Sequence, residues 1–375
     1  MPVSVRSFAK INLGLRIGAA REDGFHDLLT VYQTIGLHDV IRVGVWRGAG
    51  RGTQIEIRCA DPRVPKDESN TCYRIVEKAM QALRAKGRVV IEIEKRLPVQ
   101  GGLGGASSNA VAALLGLERA LKKSLPAAER LRIAAEVGSD LPLFLVGGTV
   151  LGVGRGERVY PLQDFPAMAC VVVTPEVGVS TPKAFAEWDR LCGAGAPARG
   201  EASLLPSAAE LVEQKPAELR SAWTGEGARP LTNQNHTSKT RTELTVSTAS
   251  DRMDELGRGL SAWLSESCSS APSDFLASGG RAENPLLWLV RAGIENDFER
   301  VVFPEYPELS EGKRALLRAG AKYASLSGSG STLYGLFASR AAAVLAAARL
   351  RKQGWAAQAT ATLTRRAYWR RIAAR

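Results

Sequence analysis

Leu97-Pro98-Val99-Gln100-Gly101-Gly102-Leu103-Gly104-Gly105-Ala106-Ser107-Ser108-Asn109 is the stretch whose reading decides the fold. Before it, Val89-Val90-Ile91-Glu92-Ile93-Glu94 alternates apolar and acidic residues like a half-buried strand. After it, Ala110–Leu121 is rich in Ala and Leu and predicts a helix. The order is strand, glycine loop, helix. Gly101, Gly102, Gly104 and Gly105 leave backbone N–H groups unobstructed and permit positive φ. Where such a loop opens onto a helix N-terminus, free N–H groups and the helix dipole favour an anion. Ser107 and Ser108 add hydroxyls able to bond a phosphate or a magnesium ion. The same residues also suit a flexible turn capped by serine. No Gly-Lys-Ser/Thr follows, which excludes a Walker A loop, and the spacing is not the dinucleotide fingerprint.

The 375 residues suffice for two domains, and a composition of 45% hydrophobic and 23% charged residues is that of a globular protein. No apolar run approaches the roughly 18 residues of a membrane span. The start, Met1–Lys10, lacks an apolar signal core, so a cytoplasmic protein is expected. Five cysteines without Cys-x-x-Cys spacing argue against a disulfide frame or a zinc site. The net charge of +12 suits an anionic partner. The arginines are spread along the chain apart from Arg365, Arg366, Arg370, Arg371 and Arg375, and no nucleic-acid-binding signature is present. The expected partner is a small molecule, with no nucleic acid and no membrane, in a monomer or homodimer.

Four other segments carry chemistry. Ser7-Phe8-Ala9-Lys10-Ile11-Asn12-Leu13-Gly14-Leu15 reads as a strand with one lysine among apolar neighbours. That lysine needs an anionic partner if buried, or reaches water from a strand edge. Glu22-Asp23-Gly24 is a turn, and Phe25-His26 after it could stack on a base and hydrogen-bond to it, or be a core Phe beside a solvent-facing His. His38 and His236 read as ordinary surface groups. Gly138-Ser139-Asp140-Leu141-Pro142 puts a carboxylate at the head of an apolar run, where it serves as an N-cap or finds a positive or hydrogen-bonding partner. Ala324-Ser325-Leu326-Ser327-Gly328-Ser329-Gly330-Ser331-Thr332, between a helix and the strand Leu333–Phe337, is a second glycine loop or a linker. Helices are also predicted after a cap at Ser69 or Asn70, through about Leu83, and over Ala127–Val137. Strands are predicted over Val31–Val45, Leu145–Tyr160 and Cys170–Pro175.

Taken in order, these segments resemble the motifs of the GHMP kinases, a superfamily of small-molecule kinases. Pro-x-x-x-Gly-Leu-Gly-x-x-Ser-Ser, at Pro98 to Ser108, is similar to the second motif, with Ala106 where many members carry Gly or Ser. Phe-Ala-Lys-Ile-Asn-Leu resembles the first motif, and Ser327-Gly328-Ser329-Gly330 the third. Arg-x-Asp-Gly-Phe-His-x-Leu, ending at Leu28, resembles the branch whose substrate is 4-diphosphocytidyl-2-C-methyl-D-erythritol. The resemblance covers roughly residues 5–190 and 284–340.

The resemblance implies a two-domain α+β fold, ribosomal protein S5 domain 2-like over residues 1–163 and ferredoxin-like over 164–375. Residues of about 192–284, rich in Gly, Ala, Ser, Pro and Thr, would be a polar, partly disordered insertion holding one amphipathic helix, Met253–Leu264. It implies ATP as co-substrate with Mg2+, and transfer to the 2-hydroxyl in the non-mevalonate route to isoprenoid precursors. By the resemblance, Lys10 and Asp140 are catalytic. Pro98, Val99, Gln100, Gly101, Gly102, Leu103, Gly104, Gly105, Ala106, Ser107, Ser108, Asn70, Ser327, Gly328, Ser329 and Gly330 bind ATP. Asn12, Phe25, His26, Thr181 and Phe185 bind the substrate, with cytosine between Phe25 and Phe185, and Ser108 is the candidate magnesium ligand. Asn70 is equally explained as an N-cap. Asn296-Asp297-Phe298-Glu299 resembles a structural helix segment of the family, with no chemistry. Two further readings stay open: a GHMP kinase for homoserine, mevalonate or a sugar, against which Phe25-His26 argues, and an idle binding member, against which Lys10 and Asp140 argue.

Overall fold

The computed structural model describes residues 2–46, 52–99, 101–193 and 295–373. Gln100, the expected Met253–Leu264 helix, nearly all of the expected insertion, His236 and Cys268 lie outside the described residues. Among the described residues no helix is long and apolar enough to cross a membrane.

Strands β1 (Val3–Ala20) and β2 (His26–Trp46) pair antiparallel through the Glu22-Asp23-Gly24 turn, where Gly24 takes φ +77°. β1 is buried without a break from Ser7 to Gly18, so Lys10, Asn12 and Arg16, which alternate with its apolar Ala9, Ile11, Leu13, Leu15 and Ile17, are covered as fully as they are. Its register to β2 shifts between Phe8 and Lys10 and again between Asn12 and Gly14. These irregularities flank Lys10 and Asn12, and bulges of this kind re-aim side chains.

β3 (Thr53–Cys59), helix α1 (Thr71–Ala82) and β4 (Gly87–Glu94) follow, then α2 (Gly105–Leu121), α3 (Ala127–Val137), α4 (Leu141–Val146), β5 (Thr149–Gly154) and β6 (Arg158–Pro161). β2 is the spine of this six-stranded sheet. One side carries β1; the other carries β5 along its first half and β4 along its last. Val5, Ile41, Val43 and Ile91 of the sheet share a core with Ile75, Leu114, Ile133 and Phe144 of the four helices. Asn70 caps α1 by accepting from the Cys72 N–H at 2.8 Å.

After β7 (Ala169–Val173) come α5 (Thr181–Gly193), α6 (Glu299–Glu305), α7 (Pro307–Arg318), β8 (Tyr323–Leu326), β9 (Leu333–Phe337), α8 (Arg340–Lys352) and β10 (Ala357–Ala361). The second sheet has the order β10-β7-β9-β8, all antiparallel, which is the expected ferredoxin-like arrangement. The two sheets are tied by a core of Ala9, Ile11 and Leu13 from β1 with Cys170, Val172, Tyr334 and Leu336. The last helix, α9 (Arg365–Ile372), returns to the first core, where the Tyr368 hydroxyl donates to Phe144 O at 2.7 Å and Trp369 Nε1 to Val146 O at 2.9 Å.

Four sequence expectations change. Helix α2 begins at Gly105, five residues before Ala110, so the end of the glycine loop is its first turn. Leu145 and Val146 finish α4, and the strands begin only at Thr149. Of the Asn296–Glu299 segment, Asn296 bridges to Leu15 of β1 and only Glu299 enters a helix. His38 is half-buried on the Phe8 ring, 5.1 Å between centroids, with Nδ1 2.9 Å from Gly36 O.

Burial raises the Tyr32, Tyr334 and Tyr368 phenols above their usual range. A phenol raised in the folded state confers stability that is whole below the unfolded value, about 10, and is lost as pH rises beyond it. Denaturant midpoints should therefore hold to about pH 10 and then fall, the fall being shallower in Tyr368→Phe. A midpoint unchanged well above that pH would contradict this account.

Candidate active site

Lys10 is the centre of the site. Its side chain is 4% exposed, and its ammonium donates to Asn12 Oδ1 at 2.7 Å and lies 3.3 Å from Asp140 Oδ2. Asn12 in turn donates from Nδ2 to Thr30 Oγ1 at 2.8 Å, which fixes its amide and aims its oxygen at Lys10. Asp140 stands at the N-cap position of α4, yet its side chain makes no cap hydrogen bond. It turns to Lys10 and to Tyr32, whose hydroxyl donates to Oδ1 at 3.1 Å. Burial first, and the Asp140 charge second, push the Tyr32 phenol well above its usual range, so it remains a donor. With one side chain 4% and the other 32% exposed, this pair is far less screened than a surface ion pair.

The two glycine loops meet beside this pair. Gly102 takes φ +74° and Gly104 φ +68°. A Cβ on Gly102 would lie 2.1 Å from Ser327 O, and one on Gly104 would lie 3.1 Å from Lys10 Cγ. Ser327 Oγ donates to Gly102 O at 2.9 Å, and the Thr332 N–H donates to Gly101 O at 3.2 Å. Close backbone approach thus requires glycine at these positions. The cleft has a volume of about 840 Å³. Its walls include Lys10, Asn12, Asp140, Asn70, Pro98, Val99, both loops, Thr181 and Phe185. Leu103 is buried, and its carbonyl accepts from the Lys10 N–H at 3.0 Å.

Ser108 is the exception on the first loop. Its hydroxyl is buried, accepts from Ser7 Oγ at 2.7 Å and donates to Gly105 O at 3.1 Å. These bonds turn it away from the cleft, where the sequence reading had it as a magnesium ligand. Ser107, one residue earlier, does line the cleft.

Helix α5 brings Thr181, Phe185 and Asp189, spaced by four residues, to one face. Thr181 Oγ1 lies 2.7 Å from Ser329 Oγ of the second loop. Phe185 stacks on His26, 4.9 Å between centroids at 11°, and meets the Phe298 edge at 5.0 Å. Asp189 Oδ1 is 2.6 Å from His26 Nε2. Phe25 is 52% exposed and packs on the Arg155 guanidinium at 5.0 Å instead. The expected sandwich of Phe25 and Phe185 is therefore not assembled here: the ring on Phe185 is that of His26.

Sequence reasoning missed Tyr32 and Asp39. Tyr32 sits among buried residues of β2, and nothing local marks its hydroxyl as functional. Asp39 is fully buried and accepts from Lys95 Nζ at 2.6 Å, the Arg96 and Leu97 N–H groups at 2.6 and 2.7 Å, and Asn109 Nδ2 at 3.0 Å. It thereby pins both ends of the first glycine loop.

The family GHMP kinases N terminal domain matches residues 70–148, and GHMP kinases C terminal matches residues 286–355. A 4-diphosphocytidyl-2-C-methyl-D-erythritol kinase of Solibacter usitatus is 34% identical over 90% of this chain and 81% of its own length. The chain belongs to this family of GHMP kinases. The Heliobacterium modesticaldum kinase of the same name is 32% identical over 93% of this chain and 90% of its own. A crystal structure of a 4-(cytidine 5'-diphospho)-2C-methyl-D-erythritol kinase, 24% identical, shares the fold at a TM-score of 0.60 over 96% of this chain and 98% of that one.

The contact of the two loops gives a direct test. Gly102→Ala puts a methyl group against Ser327 O in a strained backbone region. Its KM for ATP should rise at least about ten-fold with the fold retained, as steady-state kinetics and circular dichroism would show. An unchanged KM would mean that the loops can separate without consequence.

Proposed function

We propose that the chain transfers the γ-phosphoryl group of ATP to the 2-hydroxyl of 4-diphosphocytidyl-2-C-methyl-D-erythritol, with Lys10 and Asp140 as its catalytic residues. Family membership supports the substrate. The observation that carries the chemistry is the ammonium of Lys10, 3.3 Å from Asp140 Oδ2 on the wall of a cleft that both glycine loops line.

The roles follow from charge. Phosphoryl transfer asks for positioning and charge stabilisation rather than covalent help from the protein. Asp140 accepts the proton of the attacking hydroxyl. Lys10 faces the charge that develops on the transferring group. Tyr32 orients the carboxylate by bonding its other oxygen, and Asn12 holds the ammonium in place. The N–H groups of Gly101–Ser107 and those of Gly328 and Ser329 cradle the triphosphate, while the Ser327 and Gly330 N–H groups close the second loop on Thr332 O and Ser327 O. Phe185 and His26, steadied by Asp189, offer a stacking surface for the cytosine.

Magnesium enters this reading as the companion of the triphosphate. Such a hard cation keeps most of its ligands from phosphate and water and takes only one or two from the protein. Ser107 is an oxygen donor on the cleft wall that fits that need, whereas the Ser108 hydroxyl and both Asp140 oxygens are already committed. When bound, the ion neutralises phosphate charge.

ADP release should occur with the cytidyl substrate and fail with homoserine or mevalonate. Asp140→Asn should lose at least about a thousand-fold in kcat and melt at a lower temperature while still folding, because the buried Lys10 ammonium loses its counter-charge. Near-wild-type turnover in that variant would remove Asp140 as the base. Phe185→Ala should raise KM for the cytidyl substrate much more than KM for ATP. Equal effects on the two would break the assignment of the base pocket.

A further inference from the structure

Asn296 lies in the Asn296-Asp297-Phe298-Glu299 segment, to which the sequence reading gave no chemistry. Its amide is 2% exposed. Nδ2 donates to Leu326 O at 2.9 Å and to Gly328 O at 2.7 Å, while Oδ1 accepts from the Phe298 N–H at 3.1 Å. Every hydrogen of that amide is spent on the root and the middle of the second glycine loop. The same loop is gripped at its root by Glu299, whose Oε1 accepts from the Leu326 N–H at 2.9 Å and from Ser325 Oγ at 2.8 Å.

The backbone around Asn296 is itself bolted to β1. The Leu15 N–H donates to Glu295 O at 3.0 Å, and the Asp297 N–H donates to Leu15 O at 2.9 Å. Asp297 accepts from the Ile17 N–H and from Arg16, both at 2.9 Å. The segment is thus an added rung on the strand that carries Lys10 and Asn12, and its amide reaches from that strand to the loop. The distance it sets is a critical one. A Cβ on Gly328 would lie 3.6 Å from Lys10 Nζ and 3.5 Å from Asn12 Oδ1. A loop displaced inward would crowd the ammonium, and one displaced outward would leave a phosphate without its N–H donors.

We infer that Asn296 is a positioning residue for ATP, holding the Ser327–Gly330 loop at its working distance from Lys10. The inference rests on the reading of that loop as part of the triphosphate cradle.

Two variants separate this role from a merely structural one. Asn296→Asp keeps the acceptor for Phe298 but sets a carboxylate oxygen against two carbonyl oxygens. Asn296→Ala removes the amide altogether. Both should raise KM for ATP by about ten-fold or more, Asp at least as much as Ala, with KM for the cytidyl substrate within about two-fold of wild type. A lowered melting temperature with both KM values unchanged would overturn the inference, as would equal rises in the two. If neither variant folds, Asn296 belongs to the fold rather than to the loop, and the inference falls. If Asn296→Asp alone misfolds, Asn296→Ala carries the test. Gly328→Ala is the control on the underlying reading. If it leaves KM for ATP unchanged, the loop does not bind the nucleotide. If it raises that KM while the Asn296 variants do not, only the role of Asn296 is lost.

Discussion

A buried ammonium is the constraint on which this structure depends. An unpaired charge in the position of Lys10 would cost several kcal/mol. Three elements must converge to avoid that: β1 with Asn12, the head of α4 with Asp140, and β2 with the Tyr32 ring, 5.4 Å from the ammonium. The fold therefore cannot relax locally around Lys10 without exposing the cost. Exposed pairs such as those of Arg132 with Glu129 and Glu136 on α3 have no such authority, since solvent screens them.

Asp39 applies the same logic to the first glycine loop. Glycine loosens the backbone, so a cradle made of it needs restraint at both ends. The carboxylate of Asp39 supplies it by accepting from Arg96 and Leu97 before the loop and from Asn109 after it, with Lys95 balancing its charge. Thr71 of α1 adds a bond to Ala106 O at 2.9 Å on the far side. The loop is flexible in composition and fixed in place.

This division explains what could be read from the sequence. Lys10, Asp140 and both glycine loops were legible because each is a local backbone demand, a lone charge in an apolar run or glycine where two chains nearly touch. The strands and helices that bear them were legible from period and caps. Tyr32, Asp39 and Asn296 were not, because their meaning lies in partners 108, 56 and 32 residues away. Nothing beside Asp39 says that it faces inward rather than toward water. His38 was misread for the same reason: its neighbours in sequence do not reveal that the Phe8 ring lies against it. Phe25 was expected to face Phe185, but its contact with Arg155 depends on a turn far down the chain.

The parity of β1 joins these observations. Ala9, Ile11 and Leu13 pack into the core shared with the second sheet, while Lys10 and Asn12 alternate with them and line the cleft. Because the side-chain period of a strand is two residues, a slip of one position would drive the ammonium into that core and leave alanine and isoleucine facing the cleft. The register shifts on either side of Lys10 and Asn12 fix the parity locally. The Leu15–Asn296 bridge fixes it again from the second half of the chain. One strand thus holds the buried Lys10, the core between the sheets and the anchor of the second loop in a single register, so the geometry of the cleft is set by the same pairing that makes the fold stable.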